Sequence, residues 1–195
     1  MALKPISQLP GKTWMDEPVF KYIIKKYNIK SMFDMGCGQG GVEKFAKKYN
    51  VSWVGVDGDK RAITKNPHTI IHDYRTGSFL SNENYFDLCW SIEFLEHLEE
   101  QYVLNVLNDF SCCKYLVVTA HPPPPIPRKN KSNGWHVNEQ HPEYWIKKIT
   151  NIGFSFLEKD IEQIKKKCVR THKNWIKRHG LFFINKGFIN KRGRL

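Results

Sequence analysis

The stretch SMFDMGCGQGGVEKF, residues 31–45, decides the fold. It opens as a short apolar run and breaks into a cluster of glycines. It continues as a segment in which Val42, Phe45, Ala46 and Tyr49 recur on one helical face. Strand, glycine loop and helix in that order open a βαβ unit, and the loop lets a ligand approach the backbone. One residue does not suit a purely apolar strand: Asp34 is a carboxylate where burial is costly.

Outward from this unit the chain alternates. Residues 15–28 read as a helix, with Val19, Phe20, Ile23, Ile24 and Tyr27 at helical spacing. SWVGVD (52–57), HTIIHD (68–73), YFDLCWS (85–91) and KYLVVTA (114–120) read as strands, and residues 41–49 and 93–109 as helices. The prolines of 121–127 exclude helix or inner strand. A polar loop, 128–142, leads to a helix over 142–154 closed by Gly153. FSFLEKDIE (154–162) and GLFFINKG (180–187) read as two late strands, pairing antiparallel at one edge. The expected fold class is α/β: a doubly wound, Rossmann-like sheet with helices on both faces and ligands at the carboxyl ends of the strands. One domain is expected over 1–195, with a helical segment at 1–30 and a substrate-side loop at 121–142.

The glycines alone do not choose a ligand. Gly36, Gly38 and Gly41 satisfy G-x-G-x-x-G, and Asp34, Gly36, Gly38 and Gly40 satisfy D-x-G-x-G-x-G. A dinucleotide places its pyrophosphate at the helix N-terminus, which an acid ending the first strand opposes. S-adenosylmethionine carries a sulfonium and an ammonium, for which that acid is an asset. Asp57 ends the second strand, where a carboxylate suits ribose hydroxyls, and Asp73 ends the third, where it suits an exocyclic amine, with Tyr74 beside the ring. Each acid alone is an ordinary turn residue. Three at successive strand ends, with the loop, point to an adenosine ligand carrying a cation.

FDMGCGQG, VGVD, IHD, YFDLCWSIEFLEHL and YLVVTA, in that order, with HPEYWIKKITNIGF after them, resemble the class I S-adenosylmethionine-dependent methyltransferases. The resemblance implies a seven-stranded sheet whose last strand is inserted antiparallel. It implies that Asp34, Gly36, Cys37, Gly38 and Gly40 line the methionine side, that Asp57 and Gly58 hold the ribose, that Asp73 and Tyr74 face adenine, and that Ser91 lies near the methyl group. The chemistry implied is displacement at the activated methyl, so alignment of the nucleophile is the main task.

SIEFLEH holds Glu93, Glu96 and His97 at i, i+3 and i+4, one face if the segment is helical. Two carboxylates and an imidazole suit Mg, Mn, Fe or Zn. The spacing is similar to that in the ubiquinone-pathway O-methyltransferases and the small-RNA 2′-O-methyltransferases, which are metal-linked. The latter resemblance implies a further histidine from the loop after the fifth strand, of which His136 is preferred over His141. Metal-free relatives also carry Leu-Glu-His here, and without a metal His136 or His97 would serve as general base.

The acceptor is the least legible part. Trp14, Trp135 and Tyr144 beside Lys12, Arg128, Lys129 and Lys131 would stack a base and hold phosphate, or hold a phosphorylated sugar. The net charge is +12, from 31 Lys and Arg against 19 Asp and Glu, which would draw polyanions, although the scattered lysines read first as a solvated surface. No N/D-P-P-Y/F follows the fourth strand, which disfavours amino-methylation of DNA bases. Five cysteines, an odd set without CxxC spacing, argue against a disulfide framework or a zinc knuckle and fit the cytoplasm. No apolar run approaches the roughly 20 residues of a membrane span, and no signal-peptide pattern opens the chain. The expected activity is O-directed transfer to a small molecule or glycan precursor. Metal-assisted 2′-O transfer to RNA and a non-catalytic methyltransferase-like binding subunit are the alternatives.

Overall fold

The computed structural model describes residues 15–81, 85–125, 136–169 and 174–188. Seven strands form one sheet in the order β3-β2-β1-β4-β5-β7-β6. They are β1 (Ser31–Met35), β2 (Ser52–Asp57), β3 (Ile70–Ile71), β4 (Phe86–Ile92), β5 (Cys113–Thr119), β6 (Phe154–Phe156) and β7 (Leu181–Asn185). The first five run parallel. β7 is antiparallel to both β5 and β6. The expected fold class is observed, including the antiparallel insertion of the last strand. The strand order reverses between β1 and β4, so the glycine loop sits at the switch point where such sheets bind ligands.

Alternation along the strands builds two cores. Met32, Leu88, Trp90, Val117 and Phe182 face α1 (Glu17–Lys26), α2 (Glu43–Lys48), α5 (Glu158–Lys166) and α6 (Trp175–His179). Phe33, Met35, Cys89, Leu116, Val118 and Phe183 face α3 (Val103–Ser111) and α4 (Pro142–Asn151). β1 is buried at all five positions because both its faces are covered. α1 has Pro18 in its first turn and Lys25 and Lys26 in its last, as the helix dipole favours. It buries Val19, Phe20, Ile23 and Ile24, about 1.5–3 kcal/mol each. Phe20 meets Trp90 edge-on at 5.6 Å, so Phe20→Ala would open the centre of this layer.

Three sequence expectations are corrected. The helix placed at 93–109 begins only at Val103; Glu93 takes φ 54° and two 3₁₀ turns, Leu95–His97 and Glu100–Tyr102, intervene. The chain must turn sharply off β4, and a continuous helix would carry it past the strand end. The strand placed at 68–73 is paired only at Ile70–Ile71. FSFLEKDIE is strand only to Phe156, then helix from Glu158, because Ile161 and Ile164 at helical spacing dock on the α1 layer. β6 and β7 thus pair antiparallel at the edge but are joined through two helices. Lys12, Trp14, Arg128, Lys129, Lys131 and Trp135 lie outside the described residues.

Candidate active site

The loop after β1 is anchored by β2. The N–H groups of Gly36 and Cys37 both donate to the Val56 carbonyl at 3.0 Å. Gly36 takes φ 71° and Gly38 φ 54°, conformations that glycine adopts without strain. A side chain on Gly36 would strike the Phe94 ring at 2.5 Å, whereas one on Gly38 would enter open space. Gly38 therefore presents bare backbone to a ligand. Its N–H donates to Asp57 Oδ2 at 2.8 Å, and Asp57 Oδ1 accepts from Asp59 N–H at 2.8 Å. These bonds aim the Asp57 carboxylate and leave lone pairs on each oxygen for a ribose. A side chain on Gly58 would meet only the His72 carbonyl, at 3.5 Å.

Asp34 lies beneath this loop, 3% exposed. Its register partners are Gly55 on β2 and Trp90 on β4. Trp53 Nε1 donates to Asp34 Oδ2 at 3.0 Å. The indole reaches it by lying over Gly55, where an added Cβ would sit 2.1 Å from the ring. Burial pushes the Asp34 carboxyl up to about 7, the Trp53 bond opposes this, and the charge of Asp57 adds to it. No cation among the described residues lowers it. Cys37 is buried beside it, and burial together with the charges of Asp34 and Asp57 pushes its thiol up. That thiol is inert packing rather than a nucleophile.

The third acid is engaged otherwise. Asp73 accepts a fork from Arg75, Nε at 2.9 Å and Nη2 at 2.5 Å, which holds its carboxyl below the usual range. Tyr74 is buried, and its hydroxyl donates to Asp109 Oδ2 at 2.7 Å. Asp109 also accepts from the N–H groups of Phe79 and Leu80. Tyr74 and Asp109 thus brace residues 74–80 from inside. Ser91 is wholly buried on the α3 side of β4, and its Oγ has no hydrogen-bond partner among the described residues. Trp53, Phe94 and Asp109 were not singled out in the sequence. The adjacency of Gly55 to an aromatic two residues earlier was the one local signal for Trp53.

A second cluster stands past the end of β4. Glu93 N–H donates to Thr119 Oγ1, whose hydroxyl donates back to Glu93 Oε1, both at 2.9 Å. Glu96 is fully buried, and neither carboxylate oxygen is hydrogen-bonded among the described residues. Burial first, then the charge of Glu93, pushes it up to about 8; the Glu96 and His121 backbone N–H groups offset this partly without bonding geometry. The Glu96 carbonyl accepts from Val137 and Asn138 N–H at 2.8 and 3.0 Å, which draws His136 alongside. Ligand atoms of Glu96, His97 and His136 lie within 4.8 Å of one another, as do those of His121, His136 and Glu139. Glu93 stands beside Glu96, engaged with Thr119, and is not in either set. His141 caps α4 from outside both sets. From α6, His179 approaches His121 at 5.8 Å between rings; burial pushes the Glu93 carboxyl up, and the Thr119 bond and the charges of His121 and Arg178 oppose this only in part.

A family model described as a methyltransferase domain matches residues 33–109. No curated protein matches the chain by sequence. The structure is similar to that of TehB from Haemophilus influenzae, with a TM-score of 0.59 and 15% identity, covering 78% of this chain and 55% of TehB. It is similar to an S-adenosylmethionine-dependent methyltransferase from Archaeoglobus fulgidus, with a TM-score of 0.53 and 18% identity over 86% of this chain and 93% of the other. It is also similar to PKMT2 from Rickettsia typhi in complex with AdoHcy, with a TM-score of 0.62 and 10% identity over 92% and 55%. The chain thus spans little more than half the length of TehB and of PKMT2. At these identities the structures speak for the fold, and the family-model match speaks for the loop and the strands that carry the acids. Residues 33–109, which carry the glycine loop and the first four strands, thus match a methyltransferase domain, and the seven-stranded sheet they belong to has the fold of the S-adenosylmethionine-dependent methyltransferase from Archaeoglobus fulgidus.

Proposed function

We propose that the chain transfers the methyl group of S-adenosylmethionine to an oxygen of a small molecule or glycan precursor, with a divalent cation at Glu96, His97 and His136. The observation that supports the oxygen-directed part is the Glu96 carboxylate, fully buried with neither oxygen bonded among the described residues and two imidazoles within reach. A buried carboxylate left this way costs free energy unless a cation or a proton joins it. The donor set, one carboxylate and two imidazoles with Glu93 adjacent, fits Mg, Mn, Fe or Zn.

The cofactor side fits by the same reasoning. Asp34 is a buried carboxylate with no cation acting on it among the described residues, and Gly38 offers an open backbone above it. S-adenosylmethionine supplies a methyl already activated on a positive sulfur. Asp34 would balance the cofactor's positive charge, Asp57 would hold the ribose, and Phe94 would keep Gly36 closed to water. A bound divalent cation would supply a lowered acceptor hydroxyl pKa. Glu96, His97 and His136 would orient the acceptor, and an imidazole would take its proton.

A second reading, RNA as acceptor, is favoured by one placement. α6 brings Arg178 and His179 to the histidine cluster, on a chain of net charge +12. Its phosphate contacts would make binding fall steeply with salt.

Calorimetry with S-adenosylmethionine, S-adenosylhomocysteine and NAD, with and without Mn²⁺, tests the reading. Binding of both sulfur compounds and not NAD is expected, with a separate Mn²⁺ heat lost in Glu96→Gln. NAD binding alone would reject the cofactor assignment, and a Mn²⁺ heat unchanged in Glu96→Gln would reject the metal assignment.

A further inference from the structure

Two backbone bonds to the Glu96 carbonyl determine where the chain passes His136, but not which imidazole nitrogen carries the proton. That choice decides whether His136 can offer a lone pair to the site. A side-chain contact makes it. His136 Nδ1 lies 2.7 Å from Glu139 Oε1. The same oxygen lies 3.7 Å from His121 Nδ1, which in turn lies 2.9 Å from the Pro122 carbonyl oxygen. A carbonyl only accepts, so His121 carries its proton on Nδ1; an ionised carboxylate only accepts, so the nitrogen facing Glu139 must donate.

We propose that Glu139 is a positioning residue whose carboxylate holds His136 as the Nδ1–H tautomer, leaving the Nε2 lone pair for the site shared with Glu96 and His97. This rests on the reading of that cluster as the acceptor-side centre. Glu139 and His136 have side chains only 19% and 21% exposed, so the contact is shielded rather than a screened surface pair. The chain supports it locally. Glu139 follows His136 by three residues, and the intervening Asn138 is buried and donates to Glu100 at 3.4 Å. Gln140 donates to Asn138 at 3.0 Å. The turn that presents Glu139 to His136 is therefore built, and it is tied to the same 3₁₀ region that carries Glu96 and His97. An imidazole whose other N–H is given to a carboxylate is held in ring orientation and made a more basic ligand. That is the service Glu139 performs, whether Nε2 meets a cation or an acceptor proton.

The test is long-range ¹H–¹⁵N spectroscopy of the histidine rings in the full-length chain at pH 8.5, with the His136 signals identified by their loss in His136→Gln. The parent is expected to show His136 protonated on Nδ1. Glu139→Ala should shift it to a tautomer mixture. Glu139→Gln, whose amide oxygen still accepts, should retain the parent form. In parallel, Mn²⁺ affinity measured by electron paramagnetic resonance should fall roughly 10–100-fold in Glu139→Ala and recover in part in Glu139→Gln. S-adenosylhomocysteine affinity should stay constant across all three, which shows that the fold is intact. Parent His136 protonated on Nε2, or a tautomer indifferent to Glu139→Ala, overturns the proposal. A parent that takes up no Mn²⁺ overturns the metal assignment alone, and Glu139 is then judged on the tautomer.

Discussion

The Trp53 indole N–H donates to the Asp34 carboxylate at 3.0 Å by lying across Gly55, which stands opposite Asp34 in the β1–β2 register. A strand glycine is ordinarily a weakness. Here it is the clearance that lets an aromatic ring cross its own strand and hold a buried acid on the next one.

Trp53→Phe removes that bond and keeps most of the ring. We expect S-adenosylmethionine affinity at pH 7 to fall roughly ten-fold, as loss of a hydrogen bond to a charged group implies. On the proposed reading a cofactor cation beside Asp34 would prefer its ionised form, and burial pushes that carboxyl up to about 7. Affinity should therefore rise with pH through 7 and level off above it, and Trp53→Phe should move that rise upward. Calorimetry from pH 6 to 9 checks it; a flat profile would remove Asp34 from the cation's neighbourhood.

Stability measured without added ligand runs the other way. Asp34 has a folded-state pKa above its ordinary value, so its favourable contribution is complete below about 4 and is lost as pH rises through about 7. Asp34→Asn should melt higher than the parent at pH 8 without ligand and gain less from S-adenosylmethionine. Thermal melts with and without cofactor decide this.

Gly55→Ala places a methyl 2.1 Å from the Trp53 ring. Overpacking of this kind costs about 1–3 kcal/mol. Pairing it with Trp53→Ala should give a total less than the sum, because the two share one contact. Urea unfolding of the four proteins measures the coupling, and strict additivity would contradict the geometry.

Glu96 follows the same sign at a higher pH. Its carboxyl is pushed up to about 8, so its contribution is full below about 4.5 and fades as pH rises through 8. Without divalent cation the parent should lose melting temperature between pH 6 and 9 more steeply than Glu96→Gln. Saturating Mn²⁺ should raise the parent and leave the variant where it was.

Asp109→Ala strands three donors at once, the Tyr74 hydroxyl and the N–H groups of Phe79 and Leu80. A loss of about 2–4 kcal/mol is expected, against about 1 kcal/mol for Tyr74→Phe. Chemical denaturation gives both values, and equal losses would show that the two backbone bonds contribute nothing.

The placement of the first half of the candidate site was legible because it is local. Asp34, the loop glycines and Asp57 sit at strand ends that spacing alone locates, and the parallel order of β1 to β5 follows from alternation with intervening helices. The second half was legible as residue types but not as an arrangement. Glu93, Glu96 and His97 read as one helical face, yet the chain passes through a left-handed residue and a 3₁₀ turn there. Glu96 and His97 still meet His136, for a reason no helical period contains: two N–H groups from a distant loop close on one carbonyl.

By itself the sequence determined the α/β class, the loop at the switch point and the acids that end the strands, because those depend on periods of two and about 3.6 residues and on glycine's backbone freedom. Only the tertiary structure decided which partners these side chains take. It gave Asp73 to Arg75, Tyr74 to Asp109, Asp34 to Trp53 and His136 to Glu139. Hydrogen bonds are short and directional, so which partner a carboxylate takes is settled by approach in space, whether that partner stands two residues away, as Arg75 does from Asp73, or far along the chain, as Tyr74 does from Asp109.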